Sequence, residues 1–243
     1  MATAMGPGVR DGLPGERTRQ KLIEAGVEIF GRYNFEATTT RMLADRTGVN
    51  LAAIPYHFKS KEGLYHAVVR HIVEQATPAY RSAVAEINET LARSSCSSSE
   101  CFAMLSRILN TMVSTMLGTP EAKSWAGIIL REQMEPTSAF DIIYEGVMQP
   151  VLQCCLALVA RILHRQPDDP ETMLSVIAIV GQVLIFRTSR EAVIRSLQWK
   201  GYSRREIQAV QSIVTRHARA ILHVPDTSGP NSLEQEASQW KSA

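Results

Sequence analysis

The sequence predicts an all-α fold, with three helices near the N-terminus followed by a larger helical domain. Apolar residues recur at the 3.6-residue spacing of amphipathic helices, and runs of Val, Ile, Thr and aromatics at strand spacing are scarce. Helix start and stop signals divide the chain into about nine segments. At 243 residues, with 45% apolar and 21% charged side chains, the chain can bury a substantial core as one domain or two.

Residues 1–14 and 224–243 are rich in Gly, Pro and polar side chains without periodicity, and both are expected to be disordered. The first helix is expected from Glu16 to Tyr33, where Leu22, Ile23, Ala25, Ile29 and Phe30 form an apolar stripe, ending near Asn34. Thr39 or Thr40 caps a short helix through Arg46, Gly48 offers a left-handed C-terminal residue, and Asn50 caps a third helix ending near Lys59. Ser60 then caps a long helix carrying Leu64, Val68, Val69 and Ile72. Downstream, Thr119-Pro120-Glu121 and Asp169-Pro170-Glu171 each supply a cap, a proline at the first helical position and an acid in the first turn. Ser203-Arg204-Arg205-Glu206 has capping-box spacing behind Gly201, and Pro150 is expected to kink or break the helix holding Met148 and Leu152. The expected domains are therefore 15–60 and 61–223, between the two disordered ends.

Net charge is +2, which excludes a protein that coats nucleic acid through charge alone. The basic excess is nevertheless concentrated, since residues 1–70 hold ten Lys or Arg against seven acids. Cys96, Cys101, Cys154 and Cys155 show no paired metal or redox spacing and read as reduced core or pocket thiols. The N-terminus lacks the apolar segment of a signal peptide. No run reaches the roughly 18 uncharged apolar residues of a membrane span, so a cytoplasmic protein without a membrane partner is expected. The histidines are scattered, and no nucleophile-elbow, zincin, P-loop or dinucleotide-binding pattern occurs. Neither a metal, a cofactor nor an enzyme active site is expected.

The informative stretch is Thr40 to Phe58, TRMLADRTGVNLAAIPYHF. Ala44 is small where two helices would cross, Gly48 can take the positive φ of a tight turn, and Leu43, Val49 and Ile54 lock the second helix on the first. The outward residues of that second helix, Asn50, Leu51, Ala52, Pro55, Tyr56 and His57, are small or hydrogen-bonding, as entry into a DNA major groove requires. Thr39, Thr40, Arg41, Lys59 and Lys61 flank it and are placed to grip phosphates. The same spacing also serves as a plain corner in a helical bundle.

The longer string separates these readings. Residues 17–69 resemble the N-terminal helix-turn-helix domain of TetR-type regulators, through Thr40, Arg41, Leu43, Ala44, Gly48, Val49, Phe58, Ser60, Lys61, Glu62 and Leu64. One departure stands out: the family usually has a backbone-contacting Tyr where this chain has Pro55. Tyr56 or His57 is expected to take over that contact, and the helix to start one residue late or bend. Residues 131–151 and 189–203 resemble the CecR-like (YbiH-like) branch, and that resemblance implies a drug- or metabolite-responsive sensor domain.

Met112, Met116, Trp125, Met134, Phe140, Tyr144 and Met148 are candidates to line an adaptable ligand pocket, and they equally suit a core. Glu132 and Gln133 either orient such a ligand or belong to a solvated helix face. Residues 171–198 are too apolar for one buried stripe, so together with 207–222 they could form a dimeric four-helix bundle or be buried inside one chain. The expected function is sequence-specific DNA binding by a homodimeric, ligand-responsive repressor. A small, largely apolar effector would release it from a palindromic double-stranded operator. The alternative is a helical interaction or small-molecule-binding module that does not read DNA, and the motif within residues 40–61 discriminates between them.

Overall fold

The computed structural model describes residues 14–92, 96–118 and 122–225. The expected disordered ends, apart from Pro14, Val224 and Pro225, and the Thr119-Pro120-Glu121 signal lie outside the described residues. Among those described there are eleven α-helices, one π turn and no strand. The helices are α1 (Pro14–Ala37), α2 (Thr40–Thr47), α3 (Ala53–Phe58), α4 (Lys61–Ala92), α5 (Ser98–Gly118), α6 (Ala122–Met134) and α7 (Phe140–Ile143), then a π turn (Tyr144–Met148), α8 (Gln149–Leu163), α9 (Pro170–Thr188), α10 (Arg190–Leu197) and α11 (Arg204–Ile221).

Packing groups the chain into two compact units. The first holds residues up to Thr77 together with Pro120–Met148, and the second holds Pro78–Thr119 and the chain from Gln149 onward. The division thus falls beyond the expected boundary at residue 60, because α4 runs unbroken from Lys61 and its first half belongs to the same core as α1–α3. It falls at Pro78, which lacks the N–H that would bond to the carbonyl of Glu74.

In the first unit, Leu22 and Phe30 of α1, Leu43 of α2, Ile54 of α3, Leu64, Val68 and Ile72 of α4 and Ile128 of α6 form one buried cluster. Local signals set the helix ends. Asn34 turns to φ 68°, which closes the regular part of α1 near the expected residue, and its side chain accepts from the Ala37 N–H at 2.8 Å. Thr39 caps α2 by accepting from the Met42 N–H, and Gly48 ends that helix at φ 67°. α6 stops at Met134, two residues before Pro136.

Within this unit α1 and α6 approach each other backbone to backbone. A Cβ on Gly127 would stand 2.7 Å from the carbonyl oxygen of Gly31, and one on Gly31 would stand 2.8 Å from that of Ser124. The crossing therefore depends on two positions without side chains. Arg131, one turn further along α6, donates through Nη2 to the carbonyls of Phe30 and Gly31, the latter at 2.9 Å.

In the second unit, α5 contributes Cys101, Leu105, Ile108 and Leu109 to a core shared with Cys155 and Leu158 of α8, Val176, Ile179 and Val183 of α9, and Val210, Val214 and Ala218 of α11. Gln211 of α11 donates to the Asn110 carbonyl and to Ser114 Oγ of α5. The expected caps form. Asp169 accepts from the Thr172 N–H, and Ser203 and Glu206 make a reciprocal capping box. The hydrogen bonds these carboxylates accept hold both Asp169 and Glu206 below the usual carboxylate range.

Two further sequence expectations change. The apolar stretch 171–198 breaks at Ser189 into α9 and α10, so it is not one helix. Pro150 does not break its helix either: it lies in the first turn of α8, and the preceding π turn widens the helix where proline cannot donate to the Gly146 carbonyl. Phe140–Leu163 and Pro170–Thr188 are long and apolar enough, by length and composition alone, to cross a membrane, although Asp141, Glu145, Glu171 and Arg187 interrupt them.

Substituting Gly127→Ala should force α1 and α6 apart. The expected loss is about 1–3 kcal/mol, read as a lower denaturant midpoint. An unchanged midpoint would show that the crossing tolerates a methyl group.

Candidate nucleic-acid interface

α2 and α3 pack through Leu43, Ala44, Ile54 and Phe58, all buried, and they present Pro55 and Tyr56 outward. Pro55 explains where α3 begins. A helix started at Asn50 would need the Pro55 N–H as an interior donor; with the start at Ala53, the missing N–H falls in the first turn, where backbone donors have no helical partner. The first bond is then Tyr56 N–H to the Ala52 carbonyl at 3.2 Å. Asn50 still organises the entry. Its side-chain oxygen accepts from the Ala52 N–H at 2.9 Å and its carbonyl from the Ala53 N–H at 2.8 Å. The start lies three residues after Asn50, later than the single-residue delay expected.

Seven of the eleven expected DNA-facing residues, Thr40, Asn50, Leu51, Ala52, Pro55, Lys59 and Lys61, line one open concavity of about 600 Å³, together with Ile54 and Ser60. Tyr56 projects beside it, 84% exposed, its ring edge-on to His57 at 4.8 Å. His57 is half-buried and leans toward the first turn of α1, with Cε1 3.8 Å from the place a Cβ on Gly15 would occupy. Thr39 is occupied as the cap of α2, and Arg41 is exposed in that helix's first turn.

The cations near this surface differ in their commitments. Arg46 is held by Glu28, with two hydrogen bonds at 2.7 and 3.1 Å. Lys59 is exposed and sits at φ 68°, in the tight turn between α3 and α4. Lys61, expected to grip a phosphate, is engaged elsewhere. Its Nζ donates to the carbonyls of Phe35 and Thr38 at 3.0 and 3.1 Å and lies 4.2 Å from the centre of the Phe35 ring. The end of α1 leaves these carbonyls without helical donors, and a lysine four carbons long reaches them from the start of α4. Its charge contributes to the local potential while its hydrogen bonds hold the head together.

The nine candidate ligand residues divide between the two units. Met112, buried, and Met116, half-buried, belong to the second. The other seven belong to the first, where Trp125 and Met148 pack on the cluster and the rings of Phe140 and Tyr144 stack at 5.9 Å. Gln133 and Met134 are exposed at the end of α6, Met134 to 81%, on the side of the helix turned away from the buried Ile128 and Glu132.

Glu132 is neither on a solvated face nor available to a ligand. It is 2% exposed; Oε1 accepts from the Tyr65 hydroxyl at 2.7 Å, and Oε2 accepts from the Thr137 N–H at 3.0 Å. The single Thr137 hydroxyl proton is shared between the two oxygens, with Oγ1 3.0 Å from each. Burial, reinforced by the bond to Glu132, pushes the Tyr65 hydroxyl above the ordinary tyrosine range. Sequence reading missed this group, together with Arg131, Thr38 and the Gly31–Gly127 contact, since polar residues beside apolar runs look the same whether they face water or a carbonyl.

Comparison with known proteins agrees with this geometry. Residues 22–68 match the family described as bacterial regulatory proteins, tetR family. Residues 103–223 match the C-terminal domain of the HTH-type transcriptional dual regulator CecR. The chain is 28% identical to the CecR protein of Shigella flexneri over 210 residues, 86% of this chain and 93% of that one. It is 31% identical over 74 residues to the transcriptional repressor KstR2 of Rhodococcus jostii, 30% of this chain and 35% of that one. A solved transcriptional regulator from Pseudomonas aeruginosa shares the fold with a TM-score of 0.58 at 14% identity, covering 88% of this chain and 97% of that chain. With the tetR-family helix-turn-helix matched at one end and the CecR C-terminal domain at the other, the chain belongs to the TetR family of DNA-binding transcriptional regulators, in its CecR-like branch.

Proposed function

We propose that this regulator is a cytoplasmic homodimer that represses from a palindromic double-stranded operator and is released by a small, largely apolar effector. The observation that carries the dimer is the outward face of α9. Leu174, Ile177 and Ile185, with Gly181 between them, share one helical face and are all exposed, Leu174 to 66%, while only 22% of this apolar helix is buried. With roughly half of each side chain still to be covered, six of them in a symmetric pair contribute about 5–9 kcal/mol. That offsets the lower part of an association cost of about 4–15 kcal/mol, so neighbouring Met173 must contribute as well. Pairing of two chains also matches one reading helix per half-site, since a six-residue helix with few outward side chains grips a single site weakly.

In this reading the outward set Asn50, Leu51, Ala52, Pro55 and Tyr56 reads base edges, with Thr39, Thr40, Arg41, His57 and Lys59 positioned around it toward the backbone. Lys61 supports the head. The expected domain roles carry over in modified form, with the reading head extending through the first half of α4 and into α6. For the effector, the half-buried Trp125, Phe140, Tyr144 and Met148 of the first unit offer apolar contact.

Three measurements test these statements. Light scattering at low micromolar concentration should give twice the chain mass for the natural protein and a single chain mass for Ile177→Glu; a monomeric natural protein that still binds a palindrome tightly would remove the dimer. Lys61→Ala should lower stability by about 1–3 kcal/mol through its two orphaned carbonyls, with the salt dependence of operator binding unchanged. Tyr56→Ala should instead weaken operator binding at unchanged stability, and a lower salt slope in Lys61→Ala would restore the phosphate role. An effector found by thermal-shift screening of apolar metabolites should bind less tightly in the presence of operator. The factor should equal its own effect on operator affinity, corresponding to about 1–3 kcal/mol of coupling. Identical effector affinities with and without DNA would refute the release mechanism.

A further inference from the structure

α5 begins with a capping box that no sequence signal singled out. The Ser97 N–H donates to Glu100 Oε2 at 2.8 Å, and the Glu100 N–H donates to Ser97 Oγ at 3.2 Å. The Cys101 N–H bonds to the Ser97 carbonyl at 2.9 Å, so Ser97 is the N-cap and Ser98 the first helical residue. Cys96 and Cys101 then occupy the residue before the cap and the fourth residue of the helix, the two positions whose apolar side chains meet across such a start. Their sulfurs are in contact at 2.8 Å. Cys101 is fully buried, whereas Cys96 is partly open to solvent.

Any two apolar side chains would close this helix start equally well, but two sulfurs bring a chemistry that apolar residues lack. We propose that Cys96 and Cys101 form an oxidisable dithiol, a modification site at the start of α5 that a hydroperoxide converts to an intramolecular disulfide. The order of events follows from access. The Cys96 thiolate attacks one oxygen of the hydroperoxide; an S–O bond forms, the O–O bond breaks, and the departing oxygen takes up the proton Cys96 had released. The Cys101 sulfur then attacks the Cys96 sulfenic sulfur, forming the S–S bond, and the hydroxyl leaves as water with the Cys101 proton. Two thiols lose two electrons, and one hydroperoxide is reduced to water and an alcohol, or to two waters.

Burial and the neighbouring Cys96 push the Cys101 thiol up to about 12, with Glu100 adding to the shift and the Arg161 guanidinium opposing it. Cys101 is thus unsuited to react first and is placed to resolve. The cap holds the two residues together in advance, so the disulfide needs no unwinding of α5. Oxidation would place a covalent tie on the first turn of the helix whose buried face forms the centre of the second unit.

The test uses the full-length reduced protein, hydrogen peroxide as the oxidant, and N-ethylmaleimide labelling in denaturant before trypsin digestion. Cleavage after Arg93 and Arg107 releases both cysteines in one peptide, while Cys154 and Cys155 fall in another and serve as buried controls. The expected product is a 94–107 peptide lighter by two hydrogens and carrying no maleimide, restored to two labels by dithiothreitol, with Cys154 and Cys155 labelled throughout. In Cys96→Ser, whose circular dichroism should match the natural protein, Cys101 should stay labelled after peroxide. Full labelling of both cysteines, a Cys96 sulfinic acid beside a labelled Cys101, cross-linked chains on a non-reducing gel, or equal loss of Cys101 label in Cys96→Ser would each overturn the proposal.

Discussion

The close crossing of α1 and α6 at Gly31 and Gly127 is the constraint on which the first unit is built. Because neither helix carries a side chain there, Arg131 can reach the carbonyls of Phe30 and Gly31, and the residue after it is drawn into the interior. Glu132 would be costly to bury alone, yet Tyr65 and Thr137 supply donors to both its oxygens, so the contact between α4 and α6 is held by charge-assisted hydrogen bonds as well as by packing. A turn further on, Lys61 meets the Phe35 and Thr38 carbonyls at the end of α1 and ties the start of α4 to it. The orientation of the short α3 thus depends on main-chain carbonyls of α1 being met by Arg131 and Lys61, of which the sequence reading assigned Lys61 to a phosphate.

This arrangement gives the helix-turn-helix more support than its own length allows. α3 has six residues, too few for a stable isolated helix, and proline removes one of its donors. What holds it is the burial of Ile54 and Phe58 against α1, α2 and α4, with Asn50 ordering the chain ahead of it. Tyr56, free of these duties, is left as the most exposed aromatic side chain of the head, consistent with a protein that reads DNA through few outward groups on a rigid base.

Among the described residues the chain passes between its two units at 77–78 and 148–149. Pro78 stands at the first of these crossings, and Pro150 lies two residues beyond Met148, preceded by a π turn. Each proline lacks a helical donor where one unit gives way to the next. The second unit, by contrast, gathers well-formed caps at Ser97, Asp169 and Ser203, and it leaves the apolar face of α9 uncovered within one chain. The uneven distribution of breaks, caps and exposed apolar residues is in keeping with the proposed division between a DNA-binding head and a unit that senses an effector and pairs chains.

Much of this was determined by the sequence alone. The all-α class followed from periodicity, and the ends of α1 and α2, the left-handed Gly48 and the caps at Thr39, Asp169 and Ser203 followed from local backbone chemistry, which acts over three or four residues and is therefore visible in a short string. The helix-turn-helix and its outward face at Leu51, Pro55 and Tyr56 were legible for the same reason. Tertiary structure alone decided the roles of residues whose partners lie far along the chain. Lys61 meets carbonyls more than twenty residues away and Glu132 a hydroxyl 67 residues away, so whether each faces water, a phosphate or the protein interior is not encoded in its neighbours. The same holds for the placement of α6 with the reading head and for the break at Ser189. Periodicity reports how much apolar surface a helix must cover, while the choice of which surface covers it is made by the packing of the whole chain.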